Sequence, residues 1–254
     1  MKKVNRTTTL LTKNRGGPVT EEDQRQGDDY LEVVKSFARL THTSLYIIDY
    51  ETMGFEYVSD NPLFLCGFSP QQVQEWGYEF YFRQVPEEDL KLLETVNELG
   101  FDLFEKFSID EKKGCHITYD FHLVNESGKP VLINHKLTPL FLTREEKVWK
   151  AMCLVSLSPH QQAGNVAIHI QDSGDVWQLD LNTRIWRRTA KPRLSDRALE
   201  VLRLYSQGLT INQIGDRLCI SADTVKYYRR QIFESFDVNN MVEALSYAVH
   251  NRLL

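Results

Sequence analysis

At 254 residues, with 42% hydrophobic and 26% charged side chains, the chain has the size and composition of a globular protein of more than one domain. No apolar run approaches the roughly 18 residues a membrane span requires, and Met1-Lys2-Lys3 is followed by no apolar stretch of the kind that makes a secretory signal. The net charge of −5 is unevenly distributed: residues 1–27 carry +3, 28–183 carry −13, 184–193 carry +5 and 194–254 carry 0. An acidic middle followed by a basic stretch suits a protein with one nucleic-acid end and one end with another task.

Residues 1–27 are polar, contain Gly16-Gly17-Pro18, and are expected to form a flexible arm. A helix is predicted from Asp28 or Asp29 to about Arg39, with Tyr30, Val33, Val34 and Phe37 as its apolar stripe. Two strands follow, Ser44 to Asp49 and Phe55 to Ser59. Ser69-Pro70-Gln71-Gln72 supplies a cap, a proline at the first helical position and a capping glutamine, so a short helix begins there. A longer helix is predicted from Pro86 to about Leu99.

Residues 115–139 carry the clearest hairpin signal. Ile117, Tyr119, Phe121 and Leu123 alternate with polar residues, as do Val131, Ile133, His135 and Leu137 on the return. A loop over Asn125 to Lys129, with Gly128 in the left-handed position, sets Phe121 opposite Ile133 and Tyr119 opposite His135. A third strand is expected at about Trp149 to Leu157. This order of elements, with Phe55-Glu56-Tyr57-Val58-Ser59-Asp60-Asn61-Pro62, Gly67-Phe68-Ser69 and Val85-Pro86-Glu87-Glu88-Asp89, resembles a PAS sensor domain over roughly residues 40–158, within a domain expected over 28–160. A receiver domain could use Ile47-Ile48-Asp49 as its first strand, but the late meander does not fit a parallel sheet. Residues 166–188 alternate again, and 161–190 are read as a short β-meander connector whose strands need a partner surface.

Residues 210–236 read as two short helices joined by a tight turn. Thr210 and Gln213 form a capping box, and Ile211, Ile214 and Leu218 repeat at helical spacing. Cys219-Ile220 makes the turn, and Ser221 is an N-cap for the second helix, where Asp223 suits the helix dipole. Val225, Ile232 and Phe236 give that helix a buried stripe, leaving Lys226, Tyr227, Arg229 and Arg230 off it. A helix–turn–helix of this shape presents its second helix to the DNA major groove.

Over residues 194–254 the chain resembles the four-helix DNA-binding domain of LuxR-type regulators, and that domain is expected over 191–254. The matching residues are Leu194-Ser195, Arg197, Glu200-Val201-Leu202, Gly208, Ile214, Leu218, Ile220-Ser221, Thr224-Val225-Lys226, Ile232, Val238 and Glu243-Ala244. Ala198, Tyr228, Gln231, Ser235-Phe236 and Met241 depart from the usual residues without removing a core position. The resemblance implies that Lys226, Tyr227 and Arg230 reach base edges, and that Thr224 and Arg229 hold phosphates. It also implies a homodimer whose contact includes the fourth helix, with Ala244, Leu245 and Ala248 forming its face.

Enzymatic chemistry is not expected: there is no nucleophile elbow, phosphate-binding glycine loop or HExxH. The seven histidines show no metal-ligand spacing. Cys66, Cys115, Cys153 and Cys219 are scattered, as reduced thiols of a cytoplasmic protein are, and Cys66 reads as core. His116, Thr118, Asp120 and His122 fall on the polar face of their strand and are expected to be solvated. Tyr119 and His135 face inward together, where they either form a hydrogen-bonded core pair or orient an unidentified small ligand.

The fold class expected is therefore α+β: a PAS-like antiparallel-sheet sensor, a β-meander connector and a C-terminal helix–turn–helix bundle. The expected function is a sequence-specific transcription regulator, with double-stranded DNA, a second copy of the chain and RNA polymerase as partners. The competing reading is a protein-interaction module whose helical domain does not bind DNA by itself.

Overall fold

The computed structural model describes residues 30–254 except residues 42, 172 and 252. The arm expected over 1–27 and the start of the first helix lie outside the described residues. The chain divides into two compact units, one ending at Thr189 and one beginning at Ala190.

The first unit contains α1 (Tyr30–Leu40), β1 (Ser44–Asp49), β2 (Gly54–Val58), α2 (Pro62–Leu65), α3 (Pro70–Trp76), α4 (Glu79–Gln84), α5 (Glu87–Phe104) and α6 (Ile109–Gly114). The strands β3 (Cys115–Val124), β4 (Pro130–Leu142), β5 (Val148–Leu157), β6 (Gly164–Ile170), β7 (Asp175–Asp180) and β8 (Ile185–Ala190) follow. They form one eight-stranded sheet of order β2-β1-β5-β4-β3-β6-β7-β8, with antiparallel pairing from β2 through β7. Its first five strands, with small helices inserted between β2 and β3, are the PAS-like arrangement.

Local chemistry sets the elements. Ser69 and Gln72 close a capping box on α3, and Ser108 with Glu111 closes a second on α6. At the β3–β4 turn Gly128 takes φ 73°, and the Asn125 carboxamide accepts from the amides of Ser127 and Lys129, both at 3.0 Å. The register is the one the turn requires, with Phe121 opposite Ile133 and Tyr119 opposite His135. Helix α5 runs five residues past its expected end, through Gly100. A Cβ there would meet Ile117 Cδ1 at 3.4 Å, an ordinary contact with β3.

The inner sheet face and α2–α5 enclose the main core, which includes Tyr46, Phe64, Phe80 and Phe121. On the outer face α1 covers Leu45 and Ile47 with Val34. The meander over 161–190 finds its partner surface in the sensor sheet: β6 pairs with β3 and places Ile168 opposite Ile117. Trp186 of β8 donates its indole N–H to the Leu99 carbonyl at 3.0 Å, bringing the meander back over α5. Residues 161–189 thus fall inside the first unit.

The second unit contains α7 (Asp196–Ser206), α8 (Ile211–Leu218), α9 (Ala222–Phe236) and α10 (Met241–His250). Ser195, Thr210, Ser221 and Asn240 each cap the helix that follows through a side-chain oxygen. The α8–α9 turn is close-packed: Cys219 takes the left-handed conformation, and a Cβ on Gly215 would lie 2.9 Å from the Ile220 carbonyl oxygen. Ile214, Val225 and Ile232 are fully buried and hold the two helices in their crossing. Each such side chain contributes about 1.5–3 kcal/mol.

Candidate nucleic-acid interface

Helix α9 is positioned by its cap and its buried stripe. The Ser221 hydroxyl accepts from the Thr224 amide at 3.1 Å and lies 2.8 Å from the Thr224 hydroxyl. Burial of Val225, Ile232 and Phe236 fixes the rotation of the helix, so Asp223, Lys226, Tyr227 and Arg230 face outward. Arg229 and Phe233 join them along a shallow exposed groove.

The outward face is ordered by contacts within the helix. Lys226 pairs with Asp223 at 2.9 Å, and Arg230 approaches Glu234 at 4.0 Å. The Arg230 guanidinium sits 5.9 Å from the centre of the Tyr227 ring, whose hydroxyl accepts from Gln231 at 2.8 Å. Lys226, Tyr227 and Arg230 therefore share one exposed surface. Thr224 is half-buried, with its hydroxyl directed to the cap. Arg229 stands beside the Tyr205 hydroxyl, where its charge opposes the upward pull of burial on the phenol. The pairing of Lys226 and Arg230 with acids one turn away was readable from their spacing of three and four residues.

The fourth helix requires a correction. Ala244 and Ala248 are fully buried among Val201, Leu202 and Phe236 in the unit's own core, and Leu245 packs partly against it. Ala244 and Ala248 are not free to form a contact face, whereas Leu245 keeps part of its surface exposed. Small side chains there let α10 approach the bundle, and the apolar residues it turns outward are Val242 and Val249.

In the first unit, Tyr119 and His135 lie side by side with ring centres 4.8 Å apart. His135 Nε2 is 2.6 Å from the Tyr46 hydroxyl, which makes a short hydrogen bond to the Tyr81 hydroxyl. Burial pulls the His135 pKa down to about 3, so the ring is neutral, and pushes the phenols of Tyr46, Tyr81 and Tyr119 well up. His135 Nδ1 and the Tyr78 hydroxyl have no hydrogen-bond partner among the described residues. A cavity of about 50 Å³ lies between α5 and the sheet, lined in part by Val96, Gly100, Ile117 and Tyr119. His135 does not line it. Cys66 is buried, as expected of a core residue.

The polar face of β3 also departs from expectation. Asp120 is fully buried rather than solvated, and its carboxylate accepts from His160 (2.6 Å), Asn134 (2.8 Å) and Asn165 (2.8 Å). His122 is paired with Asp89 at 2.8 Å, and His116 stacks on His169. The loop between β5 and β6 folds over Asp120, a long-range closure that strand alternation does not encode. Among the described residues, no helix is long and apolar enough to cross a membrane.

Comparison with known proteins bears on the second unit. Residues 192–248 match the bacterial regulatory proteins of the luxR family. The chain is 34% identical over 76 residues to the HTH-type transcriptional regulator AlkS of Alcanivorax borkumensis, covering 27% of this chain and 9% of that protein. It is 26% identical over 118 residues to the transcriptional regulatory protein DesR of Bacillus subtilis, covering 46% of this chain and 58% of that one. It thus spans about a tenth and somewhat over half of these relatives. The crystal structure of a phage VqmA–DPO complex aligns over 90% of both chains at 15% identity, with a TM-score of 0.34. Within the second unit, residues 192–248 are thus similar to the luxR family of bacterial regulatory proteins.

Proposed function

We propose that the chain is a sequence-specific DNA-binding transcription regulator that acts in the cytoplasm as a homodimer. The observation that carries this reading is the outward face of α9: Lys226, Tyr227 and Arg230 stand together on a capped helix within a luxR-family domain. Lys226 and Arg230 exchange their intrahelical acids for base edges, Tyr227 packs between them, and Arg229 with the capped end at Thr224 faces phosphates. A dimer places two such helices on two half-sites, and the bound regulator contacts RNA polymerase.

The first unit supplies the control. Its cavity against Tyr119, close to the buried phenols and the neutral imidazole of His135, supports a small-molecule ligand.

Selection from a random duplex pool by the full-length protein tests the reading. A two-fold motif should be enriched, and Lys226→Ala/Arg230→Ala should abolish the enrichment. Absence of enrichment by both the full chain and residues 190–254 would overturn it. Affinity for the selected site should fall linearly on a log–log salt plot.

A further inference from the structure

Helix α5 lies between the cavity and the hairpin formed by β7 and β8. With 3.6 residues per turn, Val96, Gly100 and Phe104 fall on one side of the helix, where they line the cavity, and Glu98 falls on the other. Glu98 pairs at 2.7 Å with Arg184, in the turn between β7 and β8. One residue further along, the Leu99 carbonyl accepts the indole N–H of Trp186 on β8 at 3.0 Å. Trp177 of β7 meets the chain just beyond the end of the helix, its ring centre 6.5 Å from that of Phe107.

The hairpin is cross-linked along its length. Arg187 pairs with Asp180 at 3.2 Å, Arg188 pairs with Asp175 at 2.8 Å, and the Thr189 hydroxyl donates to the Val176 carbonyl at 3.3 Å. Strand β8 ends at Ala190 and Ser195 caps α7, so residues 191–194 alone separate the hairpin from the first helix of the second unit. The chain passes from one unit to the other only there.

The two walls of the cavity differ in stiffness. On the sheet side, Ile117 and Ile168 sit opposite each other on β3 and β6, and β3 is paired along its other edge with β4. The opposing wall is α5, held against the sheet by side chains. A cavity of about 50 Å³ leaves no slack for a molecule of several heavy atoms, and a close-packed interior transmits the excess volume instead of absorbing it. The helix is the wall that yields, and its far side is the one the hairpin grips.

We propose that the β7–β8 hairpin is the arm through which occupancy of the cavity reaches the second unit. A molecule entering against Val96 and Phe104 displaces α5. Glu98 and Leu99 pass the displacement to Arg184 and Trp186, and β8 passes it to residues 191–194. The proposal rests on the ligand-controlled reading above and names the residues through which that control is exerted. Arg184 and Trp186 are positioning residues, since neither lines the cavity nor belongs to α9.

Xenon, which enters dry apolar cavities, is the probe. In isotope-labelled full-length protein it should shift the Trp186 indole N–H resonance relative to nitrogen at the same pressure. The indole of Trp76, packed on Phe68, should stay in place, and Val96→Phe, which fills the cavity, should abolish the Trp186 shift. Amide resonances over residues 191–206 should move under xenon in the wild type and stay still in Trp186→Phe/Arg184→Gln, although Ile117 and Ile168 still report xenon entry. An unmoved Trp186 while Ile117 and Ile168 respond would overturn the proposal, as would an undiminished response of residues 191–206 in the double variant. None of these readouts uses DNA. On the selected duplex, Val96→Phe should change the dissociation constant by at least about fivefold in the otherwise wild-type chain and leave it unchanged in the double variant. Should Val96→Phe lose the circular dichroism of the folded chain, the same titration under xenon replaces it. Equal changes in both backgrounds would overturn the proposal. Failure of every variant to bind any duplex would overturn the DNA reading, with the xenon shifts deciding the coupling by themselves.

Discussion

The two units are built around different interiors. The buried set of the second is aliphatic apart from Phe236: Ala198, Val201, Leu202, Leu204, Ile214, Val225, Ile232, Ala244 and Ala248. That of the first holds Tyr46, Tyr50, Tyr78, Tyr81, Tyr119 and the neutral His135 among its leucines and phenylalanines. An aliphatic interior specifies shape and responds mainly to volume. A polar interior must also satisfy donors and acceptors in one geometry, which makes it responsive to any molecule that offers a partner. On the proposed function, the second unit would be a mount for a surface, and the first would carry its specificity inside.

The contrast can be broken most severely from the aliphatic side. Ile232→Ala should destabilise the second unit by about 2–5 kcal/mol, read as a lowered denaturant midpoint of residues 190–254, because a fully buried side chain leaves a cavity. The polar interior should instead show itself through pH. The unfolded chain protonates its histidine near 6.5, whereas folded His135 remains neutral to about 3. Between those values the unfolded state binds more protons, so this contribution is complete above pH 6.5 and is lost as pH falls. It should amount to about 2 kcal/mol between pH 6.5 and pH 5, and the fall should flatten in His135→Gln.

Surface changes on the second unit should separate binding from folding. Lys226→Ala and Arg230→Ala should each weaken binding to the selected site by about 1–3 kcal/mol in gel-shift titration, with the melting temperature unchanged. A uniform loss over all duplex sequences would make the residue a phosphate contact instead. Smallest is Tyr81→Phe, which removes one buried hydroxyl from the Tyr46 bond and should cost about 0.5–1.5 kcal/mol in urea unfolding.

The sequence was most legible where local chemistry decides. The capping boxes at Ser69 and Thr210, the Gly128 turn and the Tyr119–His135 register all depend on residues a few positions apart or on a strand period fixed by the turn. It was least legible where distant segments meet. Asp120 alternates like a solvated residue, and only the arrival of His160 and Asn165 buries it. Ala244 and Ala248 have the spacing of a packing face whether that face meets its own bundle or another protomer; the burial around them assigns it to the bundle. The rotation of α1 was hidden for a related reason. Val33, Val34 and Phe37 read as one stripe, but the Tyr30–Glu56–Lys150 contacts set the helix rotation so that Val34 alone of the three is buried.

The intrahelical pairs on α9 bear on how the protein would find its site. Lys226 is paired with Asp223, Arg230 approaches Glu234 at 4.0 Å, and residues 194–254 carry no net charge. On the proposed function, passing DNA would meet a reading face on which Lys226 and Arg230 each stand beside an acid. Residence on arbitrary sequence would be brief, since few counterions are released there. At a matching site the base edges can replace Asp223 and Glu234 as partners, so the same two acids would act as competitors that shorten every wrong stop during the search.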